Sequence, residues 1–176
     1  MSVEDWQRII KKELKDAAKI CILGIGNIQR GDDGAGPLVV AALNLKLKQF
    51  CYSNLLLIDG GEVPENFTGK IRDFKPTHTL IIDSCLSGKK PGTIYLVESG
   101  KIKNDELSTH KLPLSMLIKF IEESIKSQVI VLGIEPQNLS LGDPPSSEVL
   151  KSVQSITEFL LDNLRYHNFQ IFISTS

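Results

Sequence analysis

Residues 20–37, ICILGIGNIQRGDDGAGP, constrain the chain more than any other stretch. Ile20 to Ile25 is a short apolar run bounded by glycines, which reads as a strand covered on both faces. A glycine-rich turn carrying adjacent acids, Asp32 and Asp33, follows it. Pro37, just after Gly36, is pre-organised for the first turn of a helix. The two acids therefore sit where a strand hands over to a helix.

Such a position usually attracts phosphate, because free N–H groups and the helix dipole favour anions. Gly26 and Gly31 have the G-x-x-x-x-G spacing of a P-loop, but Asp32 and Asp33 stand where Lys and Ser or Thr should follow. Two carboxylates would repel a triphosphate. The dinucleotide fingerprint also fails, since Gly24 and Gly26 supply its first glycines while Gln29 occupies the third position. An acidic turn suits a cation, a proton or a substrate N–H.

With 176 residues the chain is long enough for one domain with a two-faced sheet and too short for two. Lys and Arg total 20 against 21 Asp and Glu, and the basic residues form no stripe, so neither nucleic acid nor a membrane surface is expected as a partner. The N-terminal residues MSVEDWQRII carry charge where a signal peptide would need an apolar segment, so a cytoplasmic protein is expected. Cys21, Cys51 and Cys85 are odd in number and contain no C-x-x-C pair, which argues against a disulfide framework or a zinc-thiolate site.

Val3, Trp6, Ile10, Leu14 and Ala17 recur at helical spacing and predict an amphipathic helix, opened by a Ser2/Asp5 capping box. It is either a packing layer or a partner-binding face. Leu38 to Leu47 reads as a helix lying on a sheet. Leu55 to Ile58 and Thr79 to Ile82 read as buried strands, ending in Asp59 and Asp83. Phe67 to Phe74 is a short element, Thr93 to Glu98 an edge strand, and Val129 to Ile134 a further buried strand. Helices are expected from Pro113 and along Val149, Val153, Ile156, Leu160 and Leu164. After Tyr166 the alternation of Phe169, Ile171 and Ile173 fits an extra strand or a tail. The fold class is thus α/β: a single three-layer α/β/α domain over residues 1–176 with a mainly parallel twisted sheet of about five strands. Residues 1–19 add a helix to this core, and residues 166–176 form a tail.

Parallel strands place their carboxyl ends on one edge, and ligands bind where the strand order reverses. With the common order 2-1-3, Asp33 and Asp83 flank that reversal and Asp59 stands beside them. Taken singly, each acid reads as a turn or cap residue, Asp32 most of all. Taken together, they point to metal or acid-base chemistry. His110, in a polar loop ahead of a helix, is the histidine best placed to join them, whereas His78 falls at the opposite end of the sheet. Two carboxylates and one imidazole suit iron, nickel, manganese or zinc. Cys85, two residues past Asp83, is a weaker candidate as a thiol nucleophile.

Five segments in register, GIGNIQRGDDGAGP, LIDGGEVPEN, LIIDSCLSGKKPG, THKLPLS and VLGIEPQ, closely resemble the nickel-iron hydrogenase maturation endopeptidases, nearest the formate-hydrogenlyase-type branch. The resemblance runs from about Ile20 to about Leu164. It implies an endopeptidase that removes a C-terminal extension from the hydrogenase large-subunit precursor after nickel insertion, cutting after a basic residue. It also implies metal contacts from Asp33, Asp83 and His110, with Asp59 a further acid near the cleft, and nickel supplied by the substrate rather than bound tightly by the free enzyme. A monomer is expected. The alternatives are a docking module that senses nickel without cutting, and a stand-alone zinc-dependent hydrolase.

Overall fold

A computed structural model describes residues 3–97, 114–166 and 171–173. Its strands are β1 (Ile20–Ile25), β2 (Phe50–Tyr52), β3 (Leu55–Gly61), β4 (His78–Ser84), β5 (Ile94–Leu96), β6 (Gln128–Ile134) and β7 (Ile171–Ile173). The helices are α1 (Val3–Glu13), α2 (Ala35–Leu47), α3 (Thr68–Phe74), α4 (Leu114–Phe120), which runs on into a wider turn at Ile121–Ile125, and α5 (Ser147–Tyr166). Ser2, and with it the capping box, lies outside the described residues.

Five strands form one sheet in the order β3-β1-β4-β6-β5. The first four are parallel and β5 runs antiparallel along the edge of β6. The expected 2-1-3 order is therefore present, with the reversal between β1 and β4. β4 runs two residues further than the apolar pattern indicated: Asp83 pairs with Gly133 and Ser84 with Ile134, so the acid lies inside the strand rather than after it. A neighbouring strand continues the ladder there, and an acid in the sequence does not stop it.

The period-2 alternation sends side chains to two cores. On one face Ile20, Ile22, Leu80, Ile82 and Leu132 meet α1, α2 and α5; on the other Cys21, Leu23, Ile81 and Val131 meet α3 and α4. The stripe of α1 is a packing layer. Trp6, Ile10 and Leu14 are buried, and the Trp6 ring meets Phe159 of α5 edge-on with centroids 4.9 Å apart. Each such burial stabilises the fold by about 2 kcal/mol. Cys21 is plain core, and burial raises its thiol pKa to about 12.

Phe50 to Tyr52 forms a strand that the pattern did not indicate, and Ile171 to Ile173 pairs with it antiparallel, so of the two readings of the tail the extra strand holds for these residues, in a separate ribbon. Only a partner distant in sequence reveals the strand at Phe50 to Tyr52.

Helix α2 approaches the sheet more closely than side chains would allow. A Cβ on Gly36 would lie 2.3 Å from the Ile82 carbonyl oxygen, and one on Gly24 would lie 2.3 Å from the carbonyl oxygen of Gly36. Glycine at both positions lets the helix start rest on the backbones of β1 and β4. That contact carries the acidic turn to the carboxyl end of β4.

Candidate active site at the carboxyl edge

Between β1 and α2 the chain makes a tight turn, with a single 3-10 turn at Gly31–Gly34. Gly26 at φ 135° and Gly31 at φ 55° take up backbone conformations that side chains resist. A Cβ on Gly26 would fall 1.7 Å from the Asp33 carbonyl oxygen, so the turn closes only over glycine.

The two aspartates of this turn differ in what they touch. The Asp33 carboxylate accepts the Asn27 N–H at 2.8 Å, which fixes it against the start of its own turn, and the residue is 3% exposed. Asp32 turns away from this arrangement toward the loop after β6. Its carboxylate accepts the N–H groups of Gln137, Asn138 and Ser146 at 2.7, 3.0 and 2.6 Å and the Ser146 hydroxyl at 3.0 Å. The loop returns the contact through the backbone, where Asp32 N–H donates to Asn138 O at 2.8 Å and Gly142 N–H to Gln29 O at 2.7 Å. Asp32 is thus a peg holding two loops together. Arg30 joins the same seam, donating from Nε to Leu139 O at 3.4 Å.

Asp83 is fully buried near the end of β4, on the face it shares with Ile81. Helix α4 packs on that face. Asp59 sits opposite Gly24 in the β1–β3 register, exposed, and its Oδ1 accepts the Gly61 N–H at 3.1 Å in an Asx turn. That local bond is the ordinary turn role of aspartate. His110 lies outside the described residues, as does His167. His78 opens β4 at the far, amino edge with its Nδ1 3.0 Å from Thr77 Oγ1, and partial burial lowers its pKa. The structure therefore brings the Asp33 turn and Asp83 to one edge at the strand reversal and keeps His78 away from it. Among the described residues no group of three or more His, Cys, Asp or Glu side chains is placed to hold a metal ion.

A further acid at this edge escaped sequence reasoning. Glu135, the residue after β6, is buried, and its carboxylate accepts the Ser87 N–H at 2.9 Å, the Ser87 hydroxyl at 2.5 Å and the Gly88 N–H at 3.1 Å. It pins the loop after β4 as Asp32 pins the loop after β6. The signal available was an acid directly after an apolar run, the same that marked Asp59 and Asp83, although those two lie inside β3 and β4.

Cys85 is buried beside these groups. Desolvation, then the neighbouring charges of Asp83 and Glu135, push its thiol well above the usual range, and Tyr95 Oη donates to its backbone carbonyl at 2.8 Å. A thiol held neutral is a poor nucleophile. Cys85→Ala is expected to keep full activity, and iodoacetamide is expected to leave the native protein active at neutral pH. Loss of turnover in Cys85→Ala with an unchanged melting temperature would restore the thiol to the reaction.

Residues 37–163 match the family model described as HycI, hydrogenase maturation protease. A Methanocaldococcus jannaschii protein provisionally named a hydrogenase maturation protease is 37% identical over 160 residues, covering 89% of this chain and 94% of that protein. The hydrogenase 3 maturation protease of Escherichia coli K12 is 35% identical over 140 residues, covering 79% and 86%. Among solved structures, a nickel-iron hydrogenase maturation protease from Thermococcus kodakarensis superposes with a TM-score of 0.81 at 29% identity, covering 89% of this chain and 99% of that one.

Proposed function

This chain belongs to the hydrogenase maturation protease family, and on that premise we propose that it removes the C-terminal extension of a nickel-iron hydrogenase large-subunit precursor after nickel insertion. It is a peptidase. The observation that carries the rest is the meeting of the Asp33 turn with the Asp83 end of β4 at the strand reversal, where open α/β sheets bind their ligands.

In this reading nickel is part of the substrate. The precursor's own cysteines hold it, and Asp33, Asp83 and His110 add oxygen and nitrogen ligands when the two proteins meet. Carboxylate and imidazole both suit nickel, and the Asn27 N–H holds the Asp33 carboxylate in place without an ion. A protein-only cage would take up free metal and lose the check on nickel loading. Hydrolysis then adds water across the scissile bond: the water oxygen joins the carbonyl carbon, the C–N bond breaks, and a proton reaches the leaving amine. A carboxylate at this edge is the group suited to take the proton from water. Asp59 is the reserve candidate for such a role. The proposed setting is a cytoplasmic monomer acting on a protein partner; among the described residues no helix is long and apolar enough to cross a membrane.

The test is to incubate the purified protein with a large-subunit precursor, loaded with nickel or free of it, and to follow the C-terminal peptide by mass spectrometry. Release of the peptide from the loaded precursor alone is expected. Equal release from both forms would remove nickel from the proposal. Binding without release would leave a docking module, and stoichiometric zinc in the active protein would point to a stand-alone zinc hydrolase.

A further inference from the structure

Seven large hydrophobic side chains are exposed among the described residues: Ile28, Leu45, Val63, Leu86, Met116, Leu141 and Leu150. Three of them lie singly on helices, Leu45 on α2, Met116 on α4 and Leu150 on α5, as scattered surface apolar residues ordinarily do. The other four are distributed differently. Ile28 is in the loop after β1, Val63 in the loop after β3, Leu86 in the loop after β4 and Leu141 in the loop after β6. Each parallel strand thus ends in a loop carrying one exposed aliphatic side chain. The described connections at the amino edge, residues 14–19, 48–49, 53–54, 75–77 and 126–127, carry none.

These loops are held rather than loose. The loops of Ile28 and Leu141 are joined through Asp32 and through the Gly142–Gln29 backbone bond next to Leu141. Leu86 lies between the Cys85 N–H, which donates to Ile134 O at 3.0 Å, and the Ser87 and Gly88 groups bound by Glu135. Val63 accepts the Asn66 N–H at 3.1 Å through its carbonyl. Two buried carboxylates, Asp32 and Glu135, therefore secure loops that present aliphatic groups to water. Fixing apolar side chains in water gains nothing for the isolated fold, whereas it lowers the ordering cost of binding a partner.

We infer that Ile28, Val63, Leu86 and Leu141 form an apolar rim around the carboxyl-edge site, on which the protein substrate docks. The inference rests on the proposed function for its occupant, the large-subunit precursor. Continuity with the acid pair supports that occupant, because the rim loops grow from the same strand ends as Asp33 and Asp83. Charge supports it too. The rim loops mix Arg30, Lys89 and Lys90 with Glu62 and Asp143, so they offer no single-sign field for a nucleic acid or an anionic lipid surface.

The experiment measures precursor binding and cleavage for the wild type, for the paired variants Ile28→Ser with Leu141→Ser and Val63→Ser with Leu86→Ser, and for the controls Leu45→Ser and Leu150→Ser. Each rim pair is expected to weaken precursor binding by about tenfold and to raise KM with kcat retained, while both controls stay within about twofold. Leu141→Asp alone, at a site 72% exposed, reads the same effect should a pair fail to fold. Rim variants that bind as wild type overturn the inference, as do controls that weaken equally. Loss of a homodimer in sedimentation, with precursor binding intact, overturns it in favour of a second copy. Wild-type protein that binds the precursor through the rim without cutting it sinks the peptidase reading and leaves the rim standing. Wild-type protein that does not bind the precursor sinks the rim.

Discussion

Cleavage of nickel-loaded precursor is expected to fall by about 100-fold or more in Asp33→Asn and again in Asp83→Asn, with both proteins still folded. The amide is nearly isosteric with the carboxylate and keeps one acceptor oxygen. In Asp33→Asn that oxygen can still take the Asn27 N–H now bound at 2.8 Å, so the turn survives. The variants lose the negative charge, and with it the attraction for a cation and the capacity to accept a proton. Asp83, fully buried in the β4–β6 ladder, tests the same loss from the other side of the strand reversal. Rates from single-turnover cleavage, beside circular dichroism of each variant, decide the matter. Turnover within a factor of about three of wild type in either one would remove that residue from the site.

Asp32→Ala is expected to act on stability first, lowering it by about 3 kcal/mol or more, since a buried carboxylate leaves three N–H groups and a hydroxyl without their acceptor. For a chain of this size that corresponds to a fall in melting temperature of roughly 6 to 12 °C. Asp32→Asn should fall between, because its single carbonyl oxygen can serve the Gln137 and Asn138 donors but its amide nitrogen would oppose the Ser146 N–H. Calorimetry of the three proteins reads the order directly. This profile is the opposite of that expected for Asp33→Asn: of two adjacent residues of one motif, one changes rate at constant stability and the other changes stability. A melting temperature unchanged in Asp32→Ala would mean that the two loops are held together by other means. Lost turnover at that unchanged temperature would place Asp32 in the chemistry.

The division between Asp32 and Asp33 shows how far the motif itself could be read. That one acid shapes the turn followed from the ordinary behaviour of aspartate between a strand and a helix. That its four donors come from residues 137, 138 and 146, more than a hundred positions away, did not follow from anything local. The same holds for Glu135. Its sequence position marks only a strand end, and the Ser87 and Gly88 donors that define its role are met across the sheet edge.

What the sequence alone determined was the sheet. Apolar runs of strand length separated by helical stripes specify buried parallel strands, because local periodicity decides which faces must leave water. The edge strand β5 and the placing of acids at the carboxyl edge follow from that and from parallel right-handed crossovers, whereas the order β3-β1-β4 is one of several that such crossovers allow and is set by the packing of the helices. Tertiary structure alone decided the rest. Strand pairing carried β4 through Asp83 and joined β2 to β7, since a ladder hydrogen bond depends on the partner and not on the residue. It also decided which acid holds loops and which lies by the strand reversal, and it set four aliphatic tips around one edge. Each of these is a relation between segments brought together only when the helices fold back over the sheet.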